Sequence, residues 1–177
     1  MIIEAFYLIL PGIFANMAPV LARRINFLNY PVDFNKKWRN KPIFGSHKTF
    51  RGFFFGIIFS ILIVFLQAYL YQFNYFRGIS FVDYETTNFL LLGFLIGFGV
   101  LFGDLIKSFF KRRFDIKPGA SWFPFDQLDA LVGGLAFISL VYAPPLAVIV
   151  TLVAIALVLH PAVNYAGYLL GLKKNKW

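Results

Sequence analysis

The chain contains no cysteine, which excludes disulfides, thiolate metal sites and cysteine nucleophiles. Histidine is nearly as scarce, with two copies, and eight acidic residues stand against 17 Lys and Arg. Any metal must therefore be held by oxygen or by histidine nitrogen. Charged residues make up 14% of the 177 positions, whereas 59% are hydrophobic and 20% aromatic, and the mean hydropathy is +0.71. That balance excludes an ordinary soluble domain and points to an integral membrane protein. The first apolar run, residues 2–22, lacks the basic n-region and small-residue cleavage site of a signal peptide and contains Pro11 and Asn16, so it reads as a retained helix. No internal repeat of broken helices is visible, which argues against a transporter built from inverted halves. The formal charge of +9 suits anionic headgroups, and no nucleic-acid partner is expected.

What is present is long apolar stretches. Crossing a hydrocarbon core takes about 20 helical residues, and residues 2–22, 53–73 and 88–107 each supply a run of that length. The 47 residues from Asp126 to Leu172 would make a helix of about 70 Å, too long for one pass. Pro144–Pro145 interrupts it, so the run divides into spans at 126–143 and 146–172. The expected fold is a single all-α, polytopic membrane domain over residues 1–177 with five transmembrane helices. Eight cations lie between Arg23 and Arg51, five between Lys107 and Lys117, and three at Lys173, Lys174 and Lys176. With five spans all three groups fall on one face, and the positive-inside rule makes that face cytoplasmic. The N-terminus is then outside, the C-terminus inside, and the cytoplasmic loops form the site.

Three local arrangements rise above this pattern. Asp104, Lys107, Ser108 and Lys111 fall at i, i+3, i+4 and i+7, a continuous polar stripe suited to a polyanion. Snorkelling at a helix end accounts equally for Lys107 and Lys111, but not for Asp104. Arg113 reads as a topology anchor, and Arg112 either as another or as a phosphate contact. Asp126 and Asp129 share a face at the start of the fourth span. An acidic N-cap explains one carboxylate, whereas two, with Asp104 from the preceding helix, resemble a site for a hard cation such as Mg²⁺. The third arrangement runs from Gly45 through Ser46, His47, Lys48, Thr49, Phe50 and Arg51 to Gly52. Its glycines admit phosphate to the backbone, Lys48 and Arg51 share a face, and Thr49 adds a hydroxyl. The spacing is not that of a Walker loop, and His47 alone reads as a local hydrogen-bonding group. Metal-binding carboxylates and phosphate-binding cations on one membrane face imply phosphoryl or nucleotidyl transfer on a lipid.

These residues also carry a resemblance. Ser108-Lys111-Arg112, then Lys117, then Asp126–Asp129 resembles the signature of the membrane CTP:phosphatidate cytidylyltransferase family. The HKTFRG segment from His47, Gly103-Asp104 at the end of the third span and DQLD at Asp126–Asp129 are most similar to its archaeal branch, the CDP-archaeol synthases. Asn16 and Pro19 near one end, and His160 with Asn164 near the other, extend the likeness over nearly the whole chain. The chain departs from the broad signature at Gln127, Pro118 and Phe123-Pro124-Phe125, where that signature has Arg, Asp and His-Gly-Gly.

The resemblance implies transfer of CMP from CTP to the phosphate of 2,3-bis-O-geranylgeranyl-sn-glycerol 1-phosphate, an isoprenoid ether lipid, at the cytoplasmic face of the cell membrane. It implies that Asp104, Asp126 and Asp129 hold one or two Mg²⁺ and act with Lys107 and Lys111 in catalysis. His47, Lys48, Thr49, Arg51, Gly52, Ser108, Arg112, Lys117 and Asn16 would bind CTP or the lipid phosphate. Asn16 either contacts the headgroup or braces a helix. A phosphatidate cytidylyltransferase acting on ester lipid, or a membrane transporter of an anionic solute, is the alternative, and the oligomeric state stays open. The 24 phenylalanines are assigned to lipid-facing and packing positions, with some expected, beside small residues, in a groove for the lipid chains. Gly93, Gly97, Gly99 and Gly103, with Gly133-Gly134, are read as close helix packing.

Overall fold

A computed structural model of the protein describes residues 1–117 and 120–169. Among the described residues there are six α-helices: α1 (Ile2–Leu21), α2 (Phe50–Leu70), α3 (Asn74–Gly78), α4 (Phe89–Arg113), α5 (Phe125–Ile138) and α6 (Leu146–Leu169). A 3₁₀ turn, Ala22–Arg24, extends α1. One small exception to the all-α expectation is an antiparallel ribbon of β1 (Lys37–Trp38) and β2 (Lys41–Pro42) in the first long loop.

Among the described residues, three helical stretches are long and apolar enough to cross a membrane: Ile2–Arg24, Phe50–Leu70 and Phe89–Arg113. Their starts follow local chemistry. The Thr49 hydroxyl accepts from Gly52 N at 3.3 Å, so α2 begins three residues before the expected span. Asn88 Oδ1 accepts from the amides of Leu90 and Leu91 at 3.0 and 3.1 Å, satisfying the open end of α4. The largest difference from the sequence expectation is at the other end of α4. The helix runs on past Lys107 to Arg113, so the charged stripe is a rigid helical face.

α5 is shorter than expected and ends at Ile138 rather than 143. The amides of Val141 and Tyr142 both turn back to Ile138 O, at 2.9 and 2.8 Å. The tandem prolines that follow forbid the helix from continuing through them. Pro145 O then accepts from Val148 and Ile149 to open α6, so the break lies where the sequence places it. At 14 residues α5 is about 21 Å long, below the hydrocarbon thickness.

α4 is the central post, packed on α2, α5 and α1. Its contact with α5 is made backbone to backbone. A Cβ on Gly99 would meet Gly133 O at 2.5 Å, and one on Gly103 would strike the carbonyl of Asp129. Only glycine allows this approach, and it sets the first turns of α5 against the charged end of α4. At the opposite end of the bundle the buried Gln67 ties three segments together. Its Nε2 donates to Tyr7 O at 2.6 Å, and its Oε1 accepts from Tyr84 Oη at 3.0 Å. Leu92, Val64, Leu152 and Ala15 form the fully buried core between these ends.

Candidate active site

The stripe predicted along α4 meets the paired carboxylates of α5. Lys107 Nζ lies 2.6 Å from Asp129 Oδ2 and 3.2 Å from both Asp104 Oδ1 and Asp126 Oδ1. One ammonium thus touches all three acids. Lys111 Nζ lies 2.6 Å from Asp126 Oδ1 and also donates to Ala120 O at 2.8 Å. Asp126 Oδ2 accepts from the backbone amide of Trp122 at 2.6 Å, which fixes the carboxylate from behind. From the start of α2, Lys48 pairs with Asp104 across 56 residues of chain.

Three aspartates and three lysines therefore form one neutral cluster. The side chains of Asp129 and Lys107 are only 8% and 16% exposed. Desolvating such ions costs several kcal/mol each, so the cluster stands only because every charge has a partner. A set of this kind can exchange partners: a triphosphate can take the lysines while a cation takes the carboxylates. Among the described residues, no three acidic or histidine side chains form a group that holds an ion as they stand. The donor set nevertheless suits Mg²⁺, because it is all carboxylate oxygen and converges on a single positive group.

The other residues singled out in the sequence are spread more widely. Ser108 is buried on the same face of α4. Thr49 caps α2, and Gly52 packs beneath Pro19 of α1, where a Cβ would lie 3.3 Å from the proline ring. Arg51 donates to Ile25 O at 2.8 Å, which fastens the loop after α1 rather than joining the cluster. His47 and Lys117 are exposed, and Arg112 is half-buried with its Nε enclosed and unpartnered among the described residues. Pro118, the side chains of His160 and Asn164, and the C-terminal lysines lie outside the described residues.

Asn16 faces a cavity. The space between α1, α4, α5 and α6 measures about 490 Å³, and its polar lining is Asn16, Asp126, Gln127 and Asp129. Its remaining wall is apolar, with Ile9 and Gly12 of α1, Val100 of α4, Leu135 of α5, and Leu152 and Ile155 of α6. Among the described residues no phenylalanine lines this cavity. Aromatic rings instead stack along the outer face of α4, where Phe94, Phe98 and Phe102 follow one another. Branched aliphatic and small residues leave a smoother slot between closely packed helices than rings do.

Sequence reading also missed the device that holds the first loop. Arg113 donates to the carbonyls of Trp38, Lys41 and Pro42, and its guanidinium lies over the Trp38 and Phe109 rings. Asp115 pairs with Lys41 at 2.5 Å. Arg113 thus clamps the β1–β2 ribbon to the end of α4, a role beyond that of a topology anchor. Inside the loop, buried Asp33 accepts from the amides of Asn35, Phe44 and Gly45 at 2.9, 2.9 and 3.0 Å. Burial raises its affinity for a proton, but the three amide donors outweigh that and hold the carboxyl below its ordinary range. No local pattern announces the Arg113 contacts, since carbonyls are offered by every residue.

The fold and the cluster define a polytopic helical membrane protein with a charged, oxygen-rich site beside a largely apolar cavity. The family model described as CarS-like, CDP-archaeol synthase, matches residues 1–177. The CDP-archaeol synthase of Pyrococcus horikoshii is 36% identical over 99% of this chain and 97% of its own length. That of Methanococcus maripaludis is 35% identical over 100% and 97%. A solved structure described as an intramembrane enzyme for archaeal membrane lipid biosynthesis aligns with a TM-score of 0.73 and 31% identity, covering 93% of this chain and 94% of that one. The chain belongs to the CDP-archaeol synthase family.

Proposed function

We propose that this protein transfers CMP from CTP to the phosphate of 2,3-bis-O-geranylgeranyl-sn-glycerol 1-phosphate, yielding CDP-archaeol and pyrophosphate for archaeal membrane lipid synthesis. Family membership supports the reaction. The observation that carries the site assignment is the convergence of Asp104, Asp126 and Asp129 on Lys107, flanked by Lys48 and Lys111, beside a largely apolar cavity that Asp126 and Asp129 also line. The cavity suits the isoprenoid chains and the cluster suits the phosphates.

In the reaction a lipid phosphate oxygen bonds to the α-phosphorus of CTP while the bond from that phosphorus to the bridging oxygen breaks. The bond pair leaves on pyrophosphate. The nucleophile is already ionised, so no general base is needed. The chain must hold the two anions in line against their repulsion. Lys48, Lys107 and Lys111 neutralise the triphosphate and the departing pyrophosphate, and Trp122 N keeps Asp126 oriented. Asp104, Asp126 and Asp129 would hold Mg²⁺, which supplies charge neutralisation at the phosphates.

We further infer five spans, with α5 and α6 completing the three long apolar helices, and an active site on the cytoplasmic face. Support comes from the basic segments 23–51 and 107–117, which meet at one end of the bundle through Lys48–Asp104 and the Arg113 clamp. The test uses purified protein in detergent with labelled CTP, Mg²⁺ and either the ether lipid phosphate or phosphatidate. Release of pyrophosphate with the ether lipid is expected, and silence with both lipids would overturn the assignment.

A further inference from the structure

We propose that the segment from Phe27 to Arg39, in the loop between α1 and α2, is a docking surface for anionic lipid headgroups. Its aromatic rings enter the headgroup layer and its cations pair with lipid phosphates. The inference rests on α2 and α4 crossing the membrane and is independent of the reaction assigned above. Phe27, Phe34 and Trp38 are 47%, 64% and 47% exposed. The loop that carries them is nevertheless folded: Asp33 gathers three of its amides, and Arg113 fastens its ribbon to α4. A scaffold that holds large apolar rings outward marks an interaction surface. Phe34 also takes the left-handed backbone region, at φ 48°, where bulky residues are outliers that persist only when their surroundings impose them.

The neighbours of these rings identify the occupant. Phe27 meets Phe54 edge-on with 5.3 Å between centroids, Phe34 packs on Phe50 at 5.3 Å, and Trp38 stacks on Phe109 at 5.5 Å. Phe50 and Phe54 belong to the first turns of α2, and Phe109 lies near the end of α4. The contacts therefore set the rings at the level where two spanning helices leave the hydrocarbon, the depth at which aromatic residues form belts. Charge then selects the kind of lipid. Lys36, Lys37 and Arg39 interleave with Phe34 and Trp38 in the sequence FNKKWR, and all three cations are exposed. Among the described residues no carboxylate pairs with any of them. The one acid of the segment, Asp33, is buried and turned to its amides. Rings alone suit any bilayer interface, whereas unneutralised cations beside them complement anionic phosphates.

The experiment places the full-length protein in nanodiscs with Trp122→Phe and Trp177→Phe, which leaves Trp38 as the sole tryptophan of three. The nanodiscs hold equal amounts of phosphatidylglycerol and phosphatidylcholine, with bromine on the chains of one or of the other. Both lipids should quench Trp38, and phosphatidylglycerol should show an apparent preference of about fivefold. Raising the salt should shrink that preference without abolishing quenching. Lys36→Gln, Lys37→Gln and Arg39→Gln together should remove the preference and leave the quenching in place, and Arg39→Gln alone should lower it by a smaller factor. A Trp38 quenched by aqueous iodide but by neither brominated lipid would overturn the proposal, since the ring would then lie in water or under another partner. Equal quenching by the two lipids in the background protein, or a preference that survives both high salt and the triple substitution, would overturn the headgroup pairing.

Discussion

At the scale of single residues, the site is a matched set in which no charge is spare. Asp126 shows why. It holds Lys111 and Lys107 and is itself held by the amide of Trp122, so it links the end of α4, the loop before α5 and α5 itself. Asparagine there keeps the volume and one acceptor but removes the charge that balances the lysines. Asp126→Asn is expected to lower kcat by about a hundredfold or more, the scale of losing a preorganised electrostatic group, with helical circular dichroism unchanged. Near-normal turnover would remove Asp126 from the essential set. Most of this cluster was legible in the sequence, because i, i+3 and i+7 spacing on a helix is local geometry. The part that was not legible is that Lys107 reaches all three acids.

At the scale of elements, one device brings the stripe and the carboxylates together and another holds the first loop against the end of α4. The first is the glycine seam between α4 and α5. A methyl on Gly133 would collide with Gly99 O and the backbone of Gly103, and neither can give way without moving a helix. Gly133→Ala should therefore cost about 1–3 kcal/mol of stability and reduce turnover, since Asp129 rides on the same seam. Thermal inactivation in detergent measures the first effect, and an unshifted midpoint would show that the seam has slack. The second device is the loop from Ile25 to Thr49, folded around Asp33. Its folded carboxyl is held below the ordinary range by its amide donors, so its contribution is present above the unfolded value of about 3.9 and is lost as pH falls through the folded value. The protection of the Phe44 and Gly45 amides from hydrogen exchange, relative to the intrinsic rate at each pH, should fall in wild type as pH drops below about 3.9. In Asp33→Asn that protection should be low throughout; an acid-triggered loss of protection that persisted in this variant would assign the transition to another group.

At the scale of the whole molecule, the absence of cysteine makes topology directly testable. Single cysteines at Lys36 and Gln72, both exposed and at opposite ends of the bundle, report the two faces to a membrane-impermeant maleimide. Lys36→Cys should label only in inverted vesicles, and Gln72→Cys only in right-side-out cells. The reverse pattern would invert the orientation and move the site out of the cytoplasm. By itself, the sequence determined the three long apolar helices and which charged residues of α4 share a face, whereas it gave no sign of α3 or of the β1–β2 ribbon. Hydropathy and the 3.6-residue period act over a few turns, so they require no knowledge of the rest of the chain. It also located the break at Pro144–Pro145 and singled out the three acids and three lysines that form the charged cluster. Only the tertiary structure decided that Lys48 reaches Asp104, that Arg113 clamps a ribbon some 70 residues earlier, and that aliphatic rather than aromatic residues line the cavity among the described residues. Each of these depends on how closely two helices or loops approach. That distance is set by the packing of glycines and side chains far apart in the chain, which no local pattern encodes.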